Sequence, residues 1–229
     1  MLKQIISKTV ILLALTACTS YAGTQIGATR VIYTEGKKET SVTVNNKDAS
    51  PYLIKSWIEN TNSLSGSYFM VTPPLFRMDG NQQNVVRIFK TNKPLPSDKE
   101  TLFFLNITSI PSSSSEEGRN TLQIAVRTKM KLIYRPKALA NNVPEDFADK
   151  ISWVITGNTI TATNPSSYYL NLTQITLNGK AIPMAEQNYL APNSKTSWEL
   201  PSRINKSGTL EWSVINDYGG KGKTHTITL

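Results

Sequence analysis

The chain has 229 residues, of which 39% are hydrophobic and 18% are charged, and its formal net charge is +9. This length suits one large or two ordinary domains, and two are favoured because a single core rarely grows beyond about 250 residues. The composition, with 12 glycines and 12 prolines, is that of a globular protein and excludes a low-complexity or fibrous chain.

The first 22 residues have the pattern of an export signal. Lys3 and Lys8 supply the positive end, Thr9–Ala17 is uncharged and mostly apolar, and Ser20–Ala22 places small residues at the cleavage-determining positions. A run of nine residues is too short to cross a bilayer, which needs about 20. No later stretch is long enough either, so we expect an exported protein, without a membrane span, that is cleaved after Ala22.

Cys18 is the only cysteine, and its meaning depends on the cleavage site. Cleavage after Ala22 leaves no cysteine for a disulfide or a Cys–His nucleophile, and the single histidine, His225, cannot build a histidine-rich zinc site. We therefore expect a binding protein and not an enzyme, with no cofactor and no metal. Leu15–Cys18 also resembles a bacterial lipoprotein box, so a lipid-anchored envelope protein stays open as an alternative.

The charge of the mature chain is positive. Removal of Lys3 and Lys8 leaves 23 basic and 16 acidic residues, a net charge of +7. Such a balance can indicate nucleic acid or an anionic surface as a partner. The cations are scattered along the chain, which favours an ordinary solvated surface, and we expect no nucleic-acid partner.

In chain order, the first half predicts seven β-strands separated by turn-rich breaks such as Asp79–Gly80. Seven short strands at this spacing are typical of an immunoglobulin-like sandwich. The predicted strands are Ala28–Tyr33, Thr40–Asn45, Tyr52–Glu59, Tyr68–Thr72, Asn84–Lys90, Glu100–Ile107 and Leu122–Tyr134.

The second half predicts another β-sandwich. Pro136 ends the first series of strands, and Lys137–Pro144 has the composition of a linker. We therefore expect an all-β protein with a signal peptide at residues 1–22 and two immunoglobulin-like domains at 23–140 and 141–229. The strands of the second domain are predicted at Ile151–Thr156, Thr159–Thr163, Tyr168–Leu177, Asn188–Leu190, Thr196–Leu200, Thr209–Asn216 and Lys223–Leu229.

The last strand of the first series carries the most functional information. Its apolar residues recur at every second position from Leu122 to Tyr134, broken only by Thr128, and cations such as Lys129 and Lys131 occupy the other face. Extended from Leu122 to Arg135, it would span about 45 Å at about 3.3 Å per residue, more than twice the usual length. Such a strand either bends between sheets or offers part of its length to another molecule, and we favour the second interpretation.

Six segments, in order and in both halves, share the pattern of one protein family: Ala28–Tyr33, Tyr52–Asn60, Val71–Phe76, Glu100–Phe103, Leu122–Pro136 and Ile215–Gly220. They make the chain similar to periplasmic pilus-assembly chaperones of the PapD/FimC type. This resemblance implies two sandwiches in an L- or boomerang-shaped arrangement and a location in the periplasm. It also implies a chaperone that binds fimbrial subunits by donor-strand complementation and delivers them to an outer-membrane usher.

The resemblance also implies roles for eight residues. Two cations of the cleft would hold the C-terminal carboxylate of a subunit, three apolar residues would fill the groove of an incomplete subunit sandwich, and three charged residues would link the two domains. In that order, these residues are Arg30 and Lys131; Leu122, Ile124 and Val126; and Glu100, Arg135 and Asp217. Parity places Lys131 on the strand face opposite Leu122, so a twist or a bulge is needed if the two are to share one site.

Other interpretations of the same residues are open from the sequence. Leu122, Ile124 and Val126 are ordinary core residues if periodicity alone is considered. Arg30 and Lys131 fit ordinary solvent-facing positions. The chain as a whole fits a structural fimbrial subunit or an adhesin, although such subunits usually carry a disulfide and a donor extension. An exposed apolar strand edge would also allow a self-capping dimer.

Overall fold

A computed structural model describes residues 23–61, 64–112, 122–184 and 187–229. The predicted signal peptide, including Cys18, lies outside the described residues, and so does the segment 113–121. No helix within the described ranges is long and apolar enough to cross a membrane.

The first nine strands form a sandwich of two sheets. One sheet has the order β1-β3-β7-β5, and the other has the order β2-β9-β8-β4-β6. Their bounds are β1 Thr24–Ile26, β2 Arg30–Thr34, β3 Thr40–Asn46, β4 Tyr52–Asn60, β5 Phe69–Thr72, β6 Leu75–Met78, β7 Gln83–Lys90, β8 Thr101–Pro111 and β9 Val126–Arg135.

The remaining eight strands form the second sandwich, which confirms the predicted all-β class with two domains. Its sheets have the orders β10-β11-β15 and β13-β12-β16-β17, with β14 paired to β12. Two short 3-10 helices, Lys137–Leu139 and Pro144–Lys150, connect the sandwiches. The strands are β10 Ser152–Thr156, β11 Thr159–Asn164, β12 Leu170–Leu177, β13 Lys180–Ala181, β14 Tyr189–Leu190, β15 Ser194–Glu199, β16 Thr209–Ile215 and β17 Lys221–Thr228.

Each sandwich has its own apolar core, as the alternating patterns require. In the first, Phe69 packs edge-on against Tyr33 and Phe103, with ring centroids 5.2 and 4.9 Å away. In the second, the rings of Trp153 and Trp212 lie 5.4 Å apart, and the Trp212 indole N–H donates to the Ala148 carbonyl at 2.9 Å. These cores hold the strands that carry the candidate site.

The structure corrects the predicted bounds of the long strand. β9 begins at Val126 and not at Leu122, because its partner β8 ends at Pro111 and the two pair only as far as Ser109 opposite Val126. Proline has no N–H to donate to a sheet. The sequence prediction also missed three short strands, β1, β6 and β13.

The chain changes sheets between β1 and β2. β1 pairs with β3 in one sheet, and β2 then pairs in parallel with the second half of β9, from Arg30 opposite Lys131 to Thr34 opposite Arg135. No described strand pairs with the same edge of β9 between Val126 and Met130. Half of this edge is therefore covered by the chain's own strand, and half is open.

Arg135 joins the two domains at the end of β9. Its Nε donates to Glu100 Oε1 at 2.7 Å, and its two terminal nitrogens donate to the Asp217 carboxylate at 2.6 and 2.8 Å. Glu100 Oε2 accepts the Tyr169 N–H at 2.7 Å, and the Glu100 N–H donates to the Ser167 carbonyl at 2.9 Å. Burial raises the pKa of Glu100 to about 7, against the attraction of Arg135. The structure thus brings the three predicted network residues together.

A tight turn after β16 positions Asp217. The Asn216 side-chain oxygen accepts the N–H groups of Tyr218 and Gly220 at 3.1 and 2.8 Å. Gly219 has φ +89°, and a Cβ there would collide with the Thr29 side chain. Only glycine combines this conformation with so close an approach to the first domain.

We expect the Arg135 network to contribute to stability unequally through its two carboxylates. The Glu100 side chain is fully buried, whereas the Asp217 side chain is 19% exposed. Removing one partner of a buried pair costs about 3–5 kcal/mol, so Glu100→Ala should approach this range and Asp217→Ala should fall below it. Chemical denaturation of both variants measures these losses.

A double-mutant cycle between Arg135 and Asp217 tests whether the two side chains act together. Arg77→Ala is the matched control, because the Arg77–Asp79 pair is mostly exposed and should contribute little. Zero coupling between Arg135 and Asp217 would contradict the expectation.

Candidate functional site

The apolar face of the chain from Leu122 to Tyr134 is divided between two environments. Tyr134, Leu132 and Met130 are 2%, 0% and 4% exposed and belong to the first core. In the same phase, Val126, Ile124 and Leu122 are 58%, 64% and 85% exposed. We call these last three residues the apolar ridge. It continues the core pattern beyond the core, into solvent.

The ridge lies beside the open half of the β9 edge. Its first two residues precede the strand, and Val126 opens it. An extended chain laid along this edge would gain backbone hydrogen bonds from β9 and apolar contact from the ridge. The interpretation of the ridge as ordinary core is therefore wrong, because none of its three side chains is buried.

Arg30 and Lys131 are direct neighbours where the open edge ends. They are paired across β2 and β9, and they share the sheet face opposite the core, where strand residues alternate with buried Val31 and Leu132. Together they line a cleft of about 560 Å³, whose other walls include Phe104 and Asn188. The structure thus brings together the two cations that the resemblance singled out.

Lys131 reaches across to the second domain. Its Nζ donates to Asn171 Oδ1 at 2.6 Å and to Asn188 Oδ1 at 2.9 Å, and it lies 4.7 Å from the centre of the Tyr189 ring. Burial, and secondly the charge of Arg30, lower the pKa of Lys131 to about 8. The ammonium group is therefore partly desolvated.

Arg30 has an unused donor in the described part of the chain. Its Nε is buried and has no hydrogen-bond partner among those residues. Burial lowers the pKa of Arg30, while Asp217 and Glu145 of the second domain oppose the shift by their charge. An unpaired buried donor is costly, so a hydrogen bond from Arg30 Nε to a bound ligand would be favourable.

The other cations on this face of β9 have partners of their own. Arg127 and Lys129 both donate to Glu59, at 3.0 and 2.7 Å. Arg127 also donates to the buried Asn106 and stacks on Trp57, 4.8 Å from the ring centre. The charges of Arg127 and Lys129 are therefore already paired within the first domain.

Lys131 and Val126, the ridge residue that belongs to β9, lie on opposite faces of the strand. β9 pairs with β8 without any shift of register from Val126 to Tyr134, so no bulge brings them to one face. Of the two ways left open by the sequence, a twist or a bulge, the bulge is absent from the paired part of β9. A ligand on the strand edge reaches both, because an edge borders both faces of its sheet.

Sequence reasoning missed Asn171, Asn188 and Tyr189. Asn171 interrupts an apolar run between Leu170 and Leu172, which is a signal for a buried polar contact, but no pattern pointed to Lys131 as its partner. Among the described residues, no group of three or more His, Cys, Asp or Glu side chains could hold a metal ion.

Comparison with known protein families matches each half of the chain. Residues 23–140 match the N-terminal domain of the pili and flagellar-assembly chaperone PapD, and residues 146–226 match its C-terminal domain. The chaperone protein LpfB of Salmonella typhimurium is 38% identical over 224 residues, which are 96% of this chain and 95% of LpfB. The chaperone protein FimC of Escherichia coli K12 is 40% identical over 201 residues, 86% of this chain and 81% of FimC.

Solved structures show the same similarity. A chain in the complex of the Salmonella enterica SafA pilin with the SafB chaperone is 34% identical, with a TM-score of 0.83 over 93% of this chain and 99% of that one. The Escherichia coli chaperone DraB is 35% identical, with a TM-score of 0.77 over 90% and 96%. With both of its domains matched and full-length relatives at this identity, the chain belongs to the PapD family of pilus-assembly chaperones.

Proposed function

We propose that this chaperone captures fimbrial subunits in the periplasm through the open half of β9 and the apolar ridge. The observation that carries the proposal is the exposed continuation of a core pattern along a strand edge with which no described strand pairs. Leu122, Ile124 and Val126 supply apolar area to an incomplete subunit sandwich, and the β9 backbone supplies hydrogen bonds. The complex of SafB with the SafA pilin supports this role.

The anchor in this proposal is the pair of Arg30 and Lys131, which holds the C-terminal carboxylate of the subunit. Two fixed cations bind one carboxylate through charge-assisted hydrogen bonds. Two observations support this anchor: Arg30 Nε has no partner among the described residues, and the ammonium of Lys131 is partly buried. Each group gains a partner when the carboxylate binds.

The position of the anchor sets the direction of the captured strand. β2 runs parallel to β9 and begins at Arg30, so it occupies the edge from Lys131 onward. A strand that lies on the open half and ends at Arg30 must approach in the direction of β2. The captured strand therefore runs parallel to β9.

Further parts of the proposal rest on family membership. The chain is divided into a signal peptide at 1–22 and domains at 23–140 and 141–229, the mature protein works in the periplasm, and an outer-membrane usher receives the loaded chaperone. The chaperone performs no catalysis of its own. Before capture, two copies cover each other's ridges in a self-capping dimer.

We expect Ile124→Glu to abolish subunit capture while leaving the free protein stable. Ile124 is 64% exposed, and surface substitutions usually change stability by less than about 0.5 kcal/mol. Capture should fail because the subunit groove would have to desolvate a carboxylate. The thermal melt of the free variant and its yield of co-purified subunit test both parts.

Leu105→Glu is the control for this variant. Leu105 is fully buried in the neighbouring strand β8, so a carboxylate there should unfold the domain. If Ile124→Glu also lowered the melting temperature severely, the ridge assignment would be wrong. Sedimentation velocity adds a second readout, since Ile124→Glu should make any self-capped dimer monomeric.

We expect Arg30→Ala and Lys131→Ala each to weaken subunit binding without changing the fold. Loss of one partner of a buried, hydrogen-bonded charge pair costs about 2–5 kcal/mol of binding free energy. The measurement is titration with a synthetic peptide copied from the C-terminal strand of the co-purified subunit, made with a free carboxylate and as the C-terminal amide.

The two peptide forms separate the anchor from the ridge. Both variants should lose affinity for the acid form only, and Lys195→Ala, an exposed lysine of β15, should bind both forms like the parent protein. Equal losses for acid and amide would show that the carboxylate is held elsewhere.

We expect affinity for the acid peptide to fall as the pH rises through about 8. Burial lowers the pKa of Lys131 in the free protein to about 8, and only its ammonium form attracts a carboxylate. The association constant should be flat near pH 6–7 and fall by about tenfold per pH unit above 8. Lys131→Ala should remove this dependence, and a profile that stays flat to pH 10 in the parent protein would contradict it.

A further inference from the structure

We propose that Asn171 and Asn188 of the second domain are positioning residues that hold the Lys131 ammonium in place without neutralising it, so that its charge stays available to an incoming carboxylate. The inference rests on the proposed anchoring function and extends it to a cradle formed by the second domain. The cradle consists of the two asparagine oxygens and the Tyr189 ring.

The number of N–H groups on the Lys131 ammonium limits how many partners it can bind. A lysine ammonium has three N–H groups and no acceptor. The asparagine oxygens take two of them, at 2.6 and 2.9 Å. One N–H remains for a ligand, and the cleft that Lys131 shares with Arg30 is where such a ligand fits.

The cradle is built to be rigid. Asn171 is 1% exposed, lies within β12, and its Nδ2 donates to the Tyr169 carbonyl at 3.4 Å, which directs its oxygen towards Lys131. The Tyr189 ring, itself packed against Tyr169 at 5.8 Å, covers the ammonium from the side. A flexible lysine is thereby held in a single position, which lowers the entropy lost when a ligand binds.

The neutrality of the cradle is its distinguishing property. Four cations alternate along this face of β9, and three of them contact carboxylates: Arg127 and Lys129 contact Glu59, and Arg135 contacts Glu100 and Asp217. The hydrogen bonds of Lys131 within the described chain go to neutral amide oxygens. If one of these amides were a carboxylate, it would pair with the Lys131 ammonium and compete with the carboxylate of the ligand.

The decisive variants are Asn188→Asp and Asn171→Asp, which replace one amide by an isosteric carboxylate. Each should lower affinity for the acid peptide by about tenfold or more, because the internal anion satisfies Lys131 before the ligand arrives. Affinity for the amide peptide should stay within about twofold, since the ridge and the strand edge are unchanged. Asn84→Asp, at an exposed position of β7, is the control with the same net charge.

The pKa of Lys131 is a second measurement, and it would not change if Asn188 served only to stabilise the fold. The charged groups around the cleft are Arg30 and Lys129 from the first domain, with Asp217 and Glu145 acting on Arg30 from the second. A new carboxylate at residue 188 should raise the pKa of Lys131 above about 8, measured by the nitrogen chemical shift of its side chain. Asn188→Ala should weaken acid-peptide binding without raising that pKa.

The outcomes separate the cradle from the anchor. If Lys131→Ala binds the acid peptide normally, the proposed anchor fails. If Lys131→Ala loses binding but Asn188→Asp keeps it within about twofold, the anchor stands and the cradle is wrong. Equal losses for acid and amide peptides in Asn188→Asp would also overturn it. Asn188 is half-buried and tests the inference even if Asn171→Asp does not fold.

Discussion

The arrangement of the site depends on a single guanidinium group shared between two domains. Arg135 ends β9 and binds Glu100 from its own domain and Asp217 from the other. Because the group is 6% exposed, its contacts with the two carboxylates are protected from solvent and depend on close geometry. Lys131 lies four residues earlier on the same strand face, so the contact that joins the domains also brings Asn171 and Asn188 within reach of its ammonium. The site that we propose for the carboxylate is therefore a property of the domain junction.

β9 shows how one periodic pattern serves two purposes. The apolar residues between Leu122 and Tyr134 have one chemistry, yet half of them fill the core and half are in solvent. The difference comes from their neighbours, since β2 covers the strand only from Lys131 onward and β8 ends at Pro111. Exposed apolar edges favour aggregation, and a protein that keeps one must cover it with a partner.

The strands and their sandwiches could be predicted from the sequence because alternation and turn residues are local signals. The burial and the contacts of a side chain depend on residues that are distant in the sequence. Periodicity could not say whether Ile124 is buried, since that depends on where Pro111 ends the neighbouring strand. The pairing of Arg30 with Lys131 could not be derived without the sheet register. The resemblance to a family had already suggested that these two residues act together. The contact of Lys131 with Asn171 and Asn188 had no signal, because it joins residues 40 and 57 positions apart across two domains.

β9 fixes the distance between the anchor and the ridge. Lys131 and Val126 are five residues apart on a strand without a bulge, about 17 Å at about 3.3 Å per residue. If the C-terminus of a captured strand is fixed at Lys131, the position of each of its side chains is set by the number of residues from that terminus. Whether this number is odd or even decides which side chains share a face with the ridge. Adding or removing one terminal residue would turn every side chain to the other face. The chaperone would thus recognise a distance and a phase, and many different sequences could satisfy both.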